Sequence, residues 1–479
     1  MKIFFAITTF LLSVQAGNIC SQENKRFTGT WEGILNAGIQ IRFVLHIKAE
    51  PDGSFTSATD SPDQGIYGIK ADRTIINNDT LFFEINNLKA SFTGKLENDS
   101  TLFGTLKQEM EFPLTLRKKD LTEMPEKTGK RKFQTPIPPF PYNADSVEYD
   151  NADKSVHYGA TLTYPLTNRI FPAVILITGS GSQDRDEAIG LHKPFAVLAD
   201  YLTRNGFAVL RIDDRSKGKT TGDFMNATSV DFAKDIEVAI SYLQTRKEID
   251  LKKIGLIGHS EGGMIAPMVA SQRKDIAFVI LLAGPGVKII ELMTEQNAAI
   301  LEKSGITEFA INAYKPLYKK IILMIAESPD SITAGKSGRV ILDEWIGKTD
   351  MSIADELGFK TSKNIDDYIS ALVQQIYIPW FRYFVKYDPQ PSLKKLRCPV
   401  LALNGDKDIQ VISKQNLTGI EAALKKSRMK NYEIKELPGL NHLFQTCKKC
   451  TIQEYLELEE TISPYALQII GDWLKKNVW

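Results

Sequence analysis

The hydrophobic and polar positions of this 479-residue chain follow two grammars. Over residues 27–117 the apolar positions come in short runs separated by turn formers. Residues 39–47 read as a strand, Pro51-Asp-Gly53 as a turn, 80–85 and 90–96 as further strands, and Glu97-Asn-Asp-Ser100 as the next turn. Short strands repeated at this spacing predict a small antiparallel β-barrel or meander, assigned to residues 24–118. Residues 119–144 are rich in Lys, Thr and Pro and run into Pro136-Ile-Pro-Pro-Phe-Pro141, which favours extended polyproline geometry and predicts a linker.

From residue 145 apolar runs of strand length alternate with helix-length segments. A hairpin, 147–149 with 160–164, leads in. The runs 173–177, 208–212, 254–257, 278–282, 400–403 and 432–435 follow, with helical stretches such as 194–204 and 229–247 between them. Near-continuous apolar strands alternating with helices predict a mostly parallel sheet with helices on both faces. The rhythm breaks between Gly286 and Arg397, where helical patterns such as 291–304 and 316–327 occur without a convincing strand. An insertion there, about 287–397, would lie over the carboxyl edge of the strands, where ligands bind, and reads as a helical cap. Its end, Tyr377-Ile-Pro-Trp-Phe-Arg-Tyr-Phe-Val-Lys-Tyr387, is densely aromatic. Docking of the cap on the body is the first reading of those rings, and lining of an acyl pocket the second.

The run 254–257 stops at Gly258-His-Ser-Glu-Gly-Gly263, ahead of a helix-compatible segment at 264–270. This is G-x-S-x-G between a strand and a helix, the context in which the motif presents a nucleophile on a sharp turn with small residues on either side. Ser260 is the candidate nucleophile. Its partners should follow in the order acid, then histidine. Of five histidines, only His442 follows every candidate acid, in Leu437-Pro-Gly-Leu-Asn-His442 after the last strand. The acid should follow the run 400–403, in Asn404-Gly-Asp-Lys-Asp-Ile-Gln-Val411. Asp408 is favoured on spacing over Asp406, which sits directly after the glycine and could cap the turn. His259 adjoins the serine, and its side chain should point elsewhere. An oxyanion hole needs two backbone N–H groups: one from Glu261 and one from the loop Thr178-Gly-Ser-Gly-Ser182, with Ser180 the first choice and Gly181 the second.

Taken together, Gly179-Ser-Gly-Ser-Gln-Asp-Arg-Asp186, Leu210-Arg-Ile-Asp-Asp-Arg215, the serine turn, Asn404 to Val411 and Asn441-His-Leu-Phe-Gln445 resemble bacterial α/β-hydrolases of the serine carboxylesterase type. The resemblance covers roughly residue 145 to the end, and some relatives carry a small β domain in front. It implies an α/β-hydrolase fold with a helical cap over 145–479, and carboxylic-ester hydrolysis by a Ser260–Asp408–His442 triad. Many such enzymes have His-Gly before the oxyanion residue, whereas this chain has Thr178-Gly179. In the first domain, Gly29-Thr-Trp31 looks like the opening of lipocalin-like barrels, although a packing module without a ligand accounts for it equally well. Its ligand is unknown. Arg185 and Arg215 read first as structural salt links near the site and second as substrate contacts.

Composition excludes some classes. Hydrophobic content of 43% and charged content of 24% are those of an ordinary globular protein. Lys+Arg at 59 against Asp+Glu at 58 leaves no net field to recruit nucleic acid or anionic lipid. Lys2, the apolar stretch 3–14 and Val14-Gln15-Ala16 read as an export signal over residues 1–16, too short to span a bilayer. Ile19 before Cys20 is bulky for a lipoprotein site, so a secreted or periplasmic protein without a membrane span is expected. Four cysteines form no disulfide framework; Cys447-Lys-Lys-Cys450 reads as a local disulfide or two inert thiols, because a lone CxxC lacks the ligands to close a zinc site. No metal or cofactor is expected. The expectation is a serine hydrolase acting on small-molecule esters. A serine exopeptidase of aminopeptidase type on the same fold is the first alternative, and a glycan- or lipid-binding protein with a vestigial site the second.

Overall fold

The computed structural model describes residues 25–36, 40–61, 66–108, 111–118, 132–427 and 430–479. The export-type segment at 1–16, Cys20 and residues 119–131 of the expected linker lie outside the described residues. The described residues divide into two compact units, before and after residue 130.

The first unit is one antiparallel sheet. Its strands are β1 (Gly29–Asn36), β2 (Gln40–Ala49), β3 (Phe55–Ser61), β4 (Ile66–Lys70), β5 (Arg73–Asn77), β6 (Thr80–Ile85), β7 (Ala90–Asn98), β8 (Thr101–Lys107) and β9 (Glu111–Lys118). Their order is β4-β3-β2-β1-β9-β8-β7-β6-β5, a meander folded back so that first and last strands pair. Alternation makes the core: Leu81, Phe83 and Ile85 are buried while Thr80, Phe82 and Glu84 between them are not. Trp31 is fully buried and its indole N–H donates to the Phe27 carbonyl at 2.7 Å, so this aromatic serves packing.

The second unit carries an eight-stranded sheet: β10 (Tyr142–Asp150), β11 (His157–Pro165), β12 (Phe171–Ile177), β13 (Ala208–Ile212), β14 (Ile249–His259), β15 (Ile276–Leu282), β16 (Val400–Gly405) and β17 (Tyr432–Leu437). The order is β10-β11-β13-β12-β14-β15-β16-β17. β10 and β11 pair antiparallel, β11 pairs antiparallel with β13, and the rest run parallel. The period of two divides the apolar runs between two cores. Val174 and Leu176 of β12 join Phe195, Leu198 and Leu202 of helix Pro194–Arg204 and Trp473 of helix Pro464–Asn477. Ala173, Ile175 and Ile177 join Ile236, Ile240 and Leu243 of helix Ser229–Gln244 and Leu417, Ile420 and Leu424 of helix Ser413–Lys425. Both faces of the sheet are therefore covered, and each fully buried aliphatic or aromatic side chain contributes about 1.5–3 kcal/mol.

Between β15 and β16 the chain is helical: Ile289–Lys303, Glu308–Glu327, Ser331–Ile346, Met351–Glu356, Ser362–Ile376, Pro379–Phe384 and Gln390–Lys394. The helix expected at 316–327 starts eight residues earlier, with Pro316 inside it. Thr307 caps the real N-terminus, its hydroxyl accepting from the Ala310 N–H at 3.3 Å. The buried stripe Leu317, Ile321 and Ile325 offsets the hydrogen bond that the proline removes. No helix among the described residues is long and apolar enough to cross a membrane.

The second unit begins earlier than residue 145. Lys132 Nζ donates to the Leu458 carbonyl at 2.5 Å, and the Gln134 amide bonds the Thr461 N–H at 2.5 Å and the Ile462 carbonyl at 2.7 Å. The latter half of the Pro-rich stretch is thus held to the body by side chains rather than acting as a spacer, and β10 starts at Tyr142. A chain beginning at Lys132 should fold by itself, with a single cooperative thermal transition, because it holds a complete sheet and both of its cores. An insoluble product, or one without a cooperative transition, would show that the first unit is needed to complete the fold.

Candidate active site

β14 delivers Ser260. Its last six residues are buried, and the chain then turns within two residues into the helix Gly262–Ala270. Ser260 stands in that turn with φ 52°, a left-handed conformation that costs a side-chain-bearing residue about 1 kcal/mol or more. Unlike its buried neighbours it keeps part of its surface open. Its N–H donates to the Leu282 carbonyl at 2.8 Å, which ties the turn to β15. The flanking glycines are steric necessities. A Cβ on Gly258 would lie 2.0 Å from the Gly262 carbonyl oxygen, and one on Gly262 would lie 2.1 Å from that of Ile177. Ser260 makes no side-chain hydrogen bond among the described residues; contacts of this kind often tighten only with substrate.

The loop after β12 passes against the serine. A Cβ on Gly179 would lie 3.2 Å from Ser260 Cβ and 3.1 Å from Glu187 Oε1, so a side chain there would push both neighbours aside. The Gly179 N–H is engaged, donating to Glu187 Oε1 at 2.6 Å. Among the described residues the N–H groups of Ser180, Gly181 and Glu261 meet no protein acceptor. Asp214 holds this loop from behind, accepting from Thr178 Oγ1 at 2.8 Å and the Gln183 N–H at 2.9 Å. Burial pushes the Asp214 carboxyl well above the usual carboxylate range despite those bonds.

Acid and base meet beyond β16 and β17. His442 Nδ1 and Asp408 Oδ2 are 2.8 Å apart, with both side chains buried. The other oxygen of Asp408 accepts from the Gln410 N–H at 2.8 Å and the Val411 N–H at 2.9 Å. Asp406 has a separate structural role. Its Oδ1 accepts from the Gly439 N–H at 2.6 Å and fastens the turn after β17. The motif around His442 is a knot. Asn441 Oδ1 accepts from the N–H groups of Leu443 and Gln445, and buried Gln445 donates to the carbonyls of Tyr455 and Glu460 at 3.2 and 2.9 Å.

Three side chains take parts that the sequence did not reveal. His259, buried beside the serine, bonds Glu187 Oε1 through Nδ1 at 2.9 Å and the His442 carbonyl through Nε2 at 3.0 Å. Its ring centroid is 4.8 Å from that of His442. The Glu261 carboxylate, assigned only an N–H from sequence, is buried and accepts from Ser229 Oγ at 2.6 Å and the Trp380 indole at 2.8 Å. Burial raises its pKa above the usual range, and those bonds oppose the rise. Trp380 thus docks the aromatic end of the cap on the residue that follows Ser260.

Arg185 and Arg215 form the salt links that their positions suggested. Arg185 Nε lies 2.9 Å from Asp213, and Arg215 bonds both oxygens of Asp235 at 2.7 and 2.8 Å. Cys447 and Cys450 are joined as a disulfide, and the Glu454 carboxylate accepts from the N–H groups of the short loop between them and of Cys450.

Comparison with known proteins gives first a class of hydrolase. Residues 192–324 match the family model described as serine aminopeptidase, S33. Particular relatives follow. Esterase EstD of Thermotoga maritima is 25% identical over 342 residues, covering 70% of either chain. Cutinase est1 of Thermobifida alba is 28% identical over 130 residues, 26% of this chain and 38% of that one. Among solved structures, an esterase of Pyrococcus furiosus superposes with a TM-score of 0.41 at 16% identity, covering 71% of this chain and 92% of that one.

Proposed function

We propose that the chain is a serine hydrolase of carboxylic esters that works through an acyl-enzyme. The observation that carries this reading is the buried 2.8 Å bond between His442 Nδ1 and Asp408, at the strand edge where Ser260 stands in its left-handed turn. Asp408, fixed by two backbone N–H groups, accepts a hydrogen bond from Nδ1–H, which keeps the proton on Nδ1 and leaves Nε2 as the base. Nε2 takes the Ser260 hydroxyl proton as Oγ attacks the ester carbonyl carbon. The oxyanion is met by the N–H groups of Glu261 and Ser180, near the start of the helix Gly262–Ala270, whose dipole favours negative charge there. Collapse expels the alcohol, which receives its proton from the imidazolium, and Ser260 is left acylated. His442 then deprotonates a water molecule, which releases the acid and restores the hydroxyl.

Similarity to a named esterase over 70% of both chains supports esters as substrates. The family model's description favours the second reading, an aminopeptidase on the same scaffold. Amide cleavage demands protonation of a poor amine leaving group and a grip on the substrate's amino terminus. Assay against matched panels decides. Short-chain aryl esters should turn over at least a hundredfold faster, by kcat/KM, than aminoacyl or dipeptidyl arylamides. An arylamide that equals the best ester would promote the peptidase.

A further inference from the structure

Glu187 and His259 connect three chain segments that the proposed chemistry needs. Glu187 Oε1 accepts from the Gly179 N–H at 2.6 Å and pairs with His259 Nδ1 at 2.9 Å. His259 Nε2 reaches the backbone carbonyl of His442 itself at 3.0 Å. One carboxylate and one ring therefore join the oxyanion loop, the serine turn and the base loop. Both side chains are buried, Glu187 at 3% and His259 at 7% exposure. Neither is needed to fill space with such polarity, since a buried ion pair is often matched in stability by apolar side chains.

The carboxylate is itself held from outside. The N–H groups of Asp186 and Ala188 donate to Asp184 Oδ1 at 3.0 Å, Arg185 pairs with Asp213, and Asp186 pairs with Arg211. Glu187, at φ 51°, is turned inward between those anchors.

We propose that Glu187 and His259 form a brace that sets the distance between the oxyanion donor Ser180 and the base His442, and that they are positioning residues for turnover at Ser260. The proposal rests on the serine-hydrolase reading of the site. The brace is proposed in its charged form, with Glu187 ionised. A carbonyl can only accept, so Nε2 carries a proton; the carboxylate oxygen is the acceptor for Nδ1, so that nitrogen carries one too. The ring is then an imidazolium facing Glu187, with Asp408 a second acid whose charge favours it. Burial opposes that charge, but the Glu187 charge and hydrogen bond, the His442 carbonyl and Asp408 outweigh it and hold the His259 pKa above the ordinary value.

A neutral replacement on either side can satisfy only part of the brace. With Glu187→Gln the ring loses its counter-charge and keeps a single N–H for two acceptors. With His259→Gln the side chain reaches one partner at a time. Each variant should lower kcat for an aryl ester by tenfold or more, with KM within about threefold of the parent, because no substrate contact is removed. Rates are normalised to folded protein by circular dichroism. The double variant should lose no more than the worse single variant, since both remove the same device. A single variant that keeps kcat within twofold, or losses that multiply in the double variant, would overturn the brace. The parent provides a test that survives misfolded variants. Nitrogen-15 histidine NMR at pH 8 should show one histidine with both ring N–H protons present and slow to exchange; buried histidines carrying one proton each would overturn the proposal. Loss of the ester-hydrolase reading is a separate event, recognised by a Ser260→Ala protein that retains turnover.

Discussion

Ser260→Ala should abolish ester turnover, by on the order of 10⁴-fold or more, and leave the fold intact. The asymmetry follows from the turn. Alanine keeps the Cβ, so the left-handed φ of 52° costs the same in both proteins. The serine hydroxyl makes no hydrogen bond among the described residues, so no partner is stranded by its removal. The N–H to Leu282 and the contacts of Gly258 and Gly262 are backbone features that the substitution does not touch. Thermal midpoints should agree within a few degrees. A fluorophosphonate probe should label the parent and not the variant, and labelling that survives would point to another nucleophile.

Asp408→Asn should cost about 10³-fold or more in kcat, and Asp406→Asn less than about tenfold. The two aspartates stand two residues apart, but their hydrogen bonds separate them. At 408 the asparagine carbonyl is claimed by the N–H groups of Gln410 and Val411, so its NH2 is turned toward His442 Nδ1. A donor facing that nitrogen forces the proton to Nε2, where it blocks abstraction from Ser260. At 406 the carbonyl of asparagine still accepts from the Gly439 N–H, and only a charge next to Lys407 is lost. Steady-state kinetics on one ester checks both, and a reversed ranking would reassign the acid.

Hydrophobic pattern carries most of the second unit because its central strands are buried on both faces. The run 208–212 and the helix 194–204 begin and end where the pattern puts them. Pattern is less informative where a single residue serves as punctuation. Pro316 looks like a helix start because proline suits the first turn, yet Thr307 and a buried stripe carry the helix through it. The Pro-rich stretch looks like a spacer, since nothing local reveals that Lys132 and Gln134 find carbonyl and N–H partners more than 300 residues away. In the candidate site, the residues legible from sequence are those with a motif around them: Ser260, Asp408 and His442. Glu187 has no such signal. It is one of four charged residues in Asp184-Arg-Asp-Glu187, and what sets it apart is a histidine 72 positions on. His259 reads from sequence as pointing away from the chemistry, because its neighbour's role says nothing about a backbone carbonyl 183 positions later.

The bond from Trp380 to Glu261 bears on how such a protein can be re-engineered. Caps look like interchangeable modules, since each is an insertion between two sheet strands. Here the inserted segment supplies one of the hydrogen bonds that satisfy a buried acid in the serine turn. A transplanted cap without an indole at that point would leave Glu261 Oε1 with Ser229 as its remaining donor, a loss of about 1 kcal/mol beside the oxyanion donor. The natural unit of exchange is therefore the cap together with the turn Gly258 to Gly263, and chimaeras cut between them inherit a fault at the centre of the site.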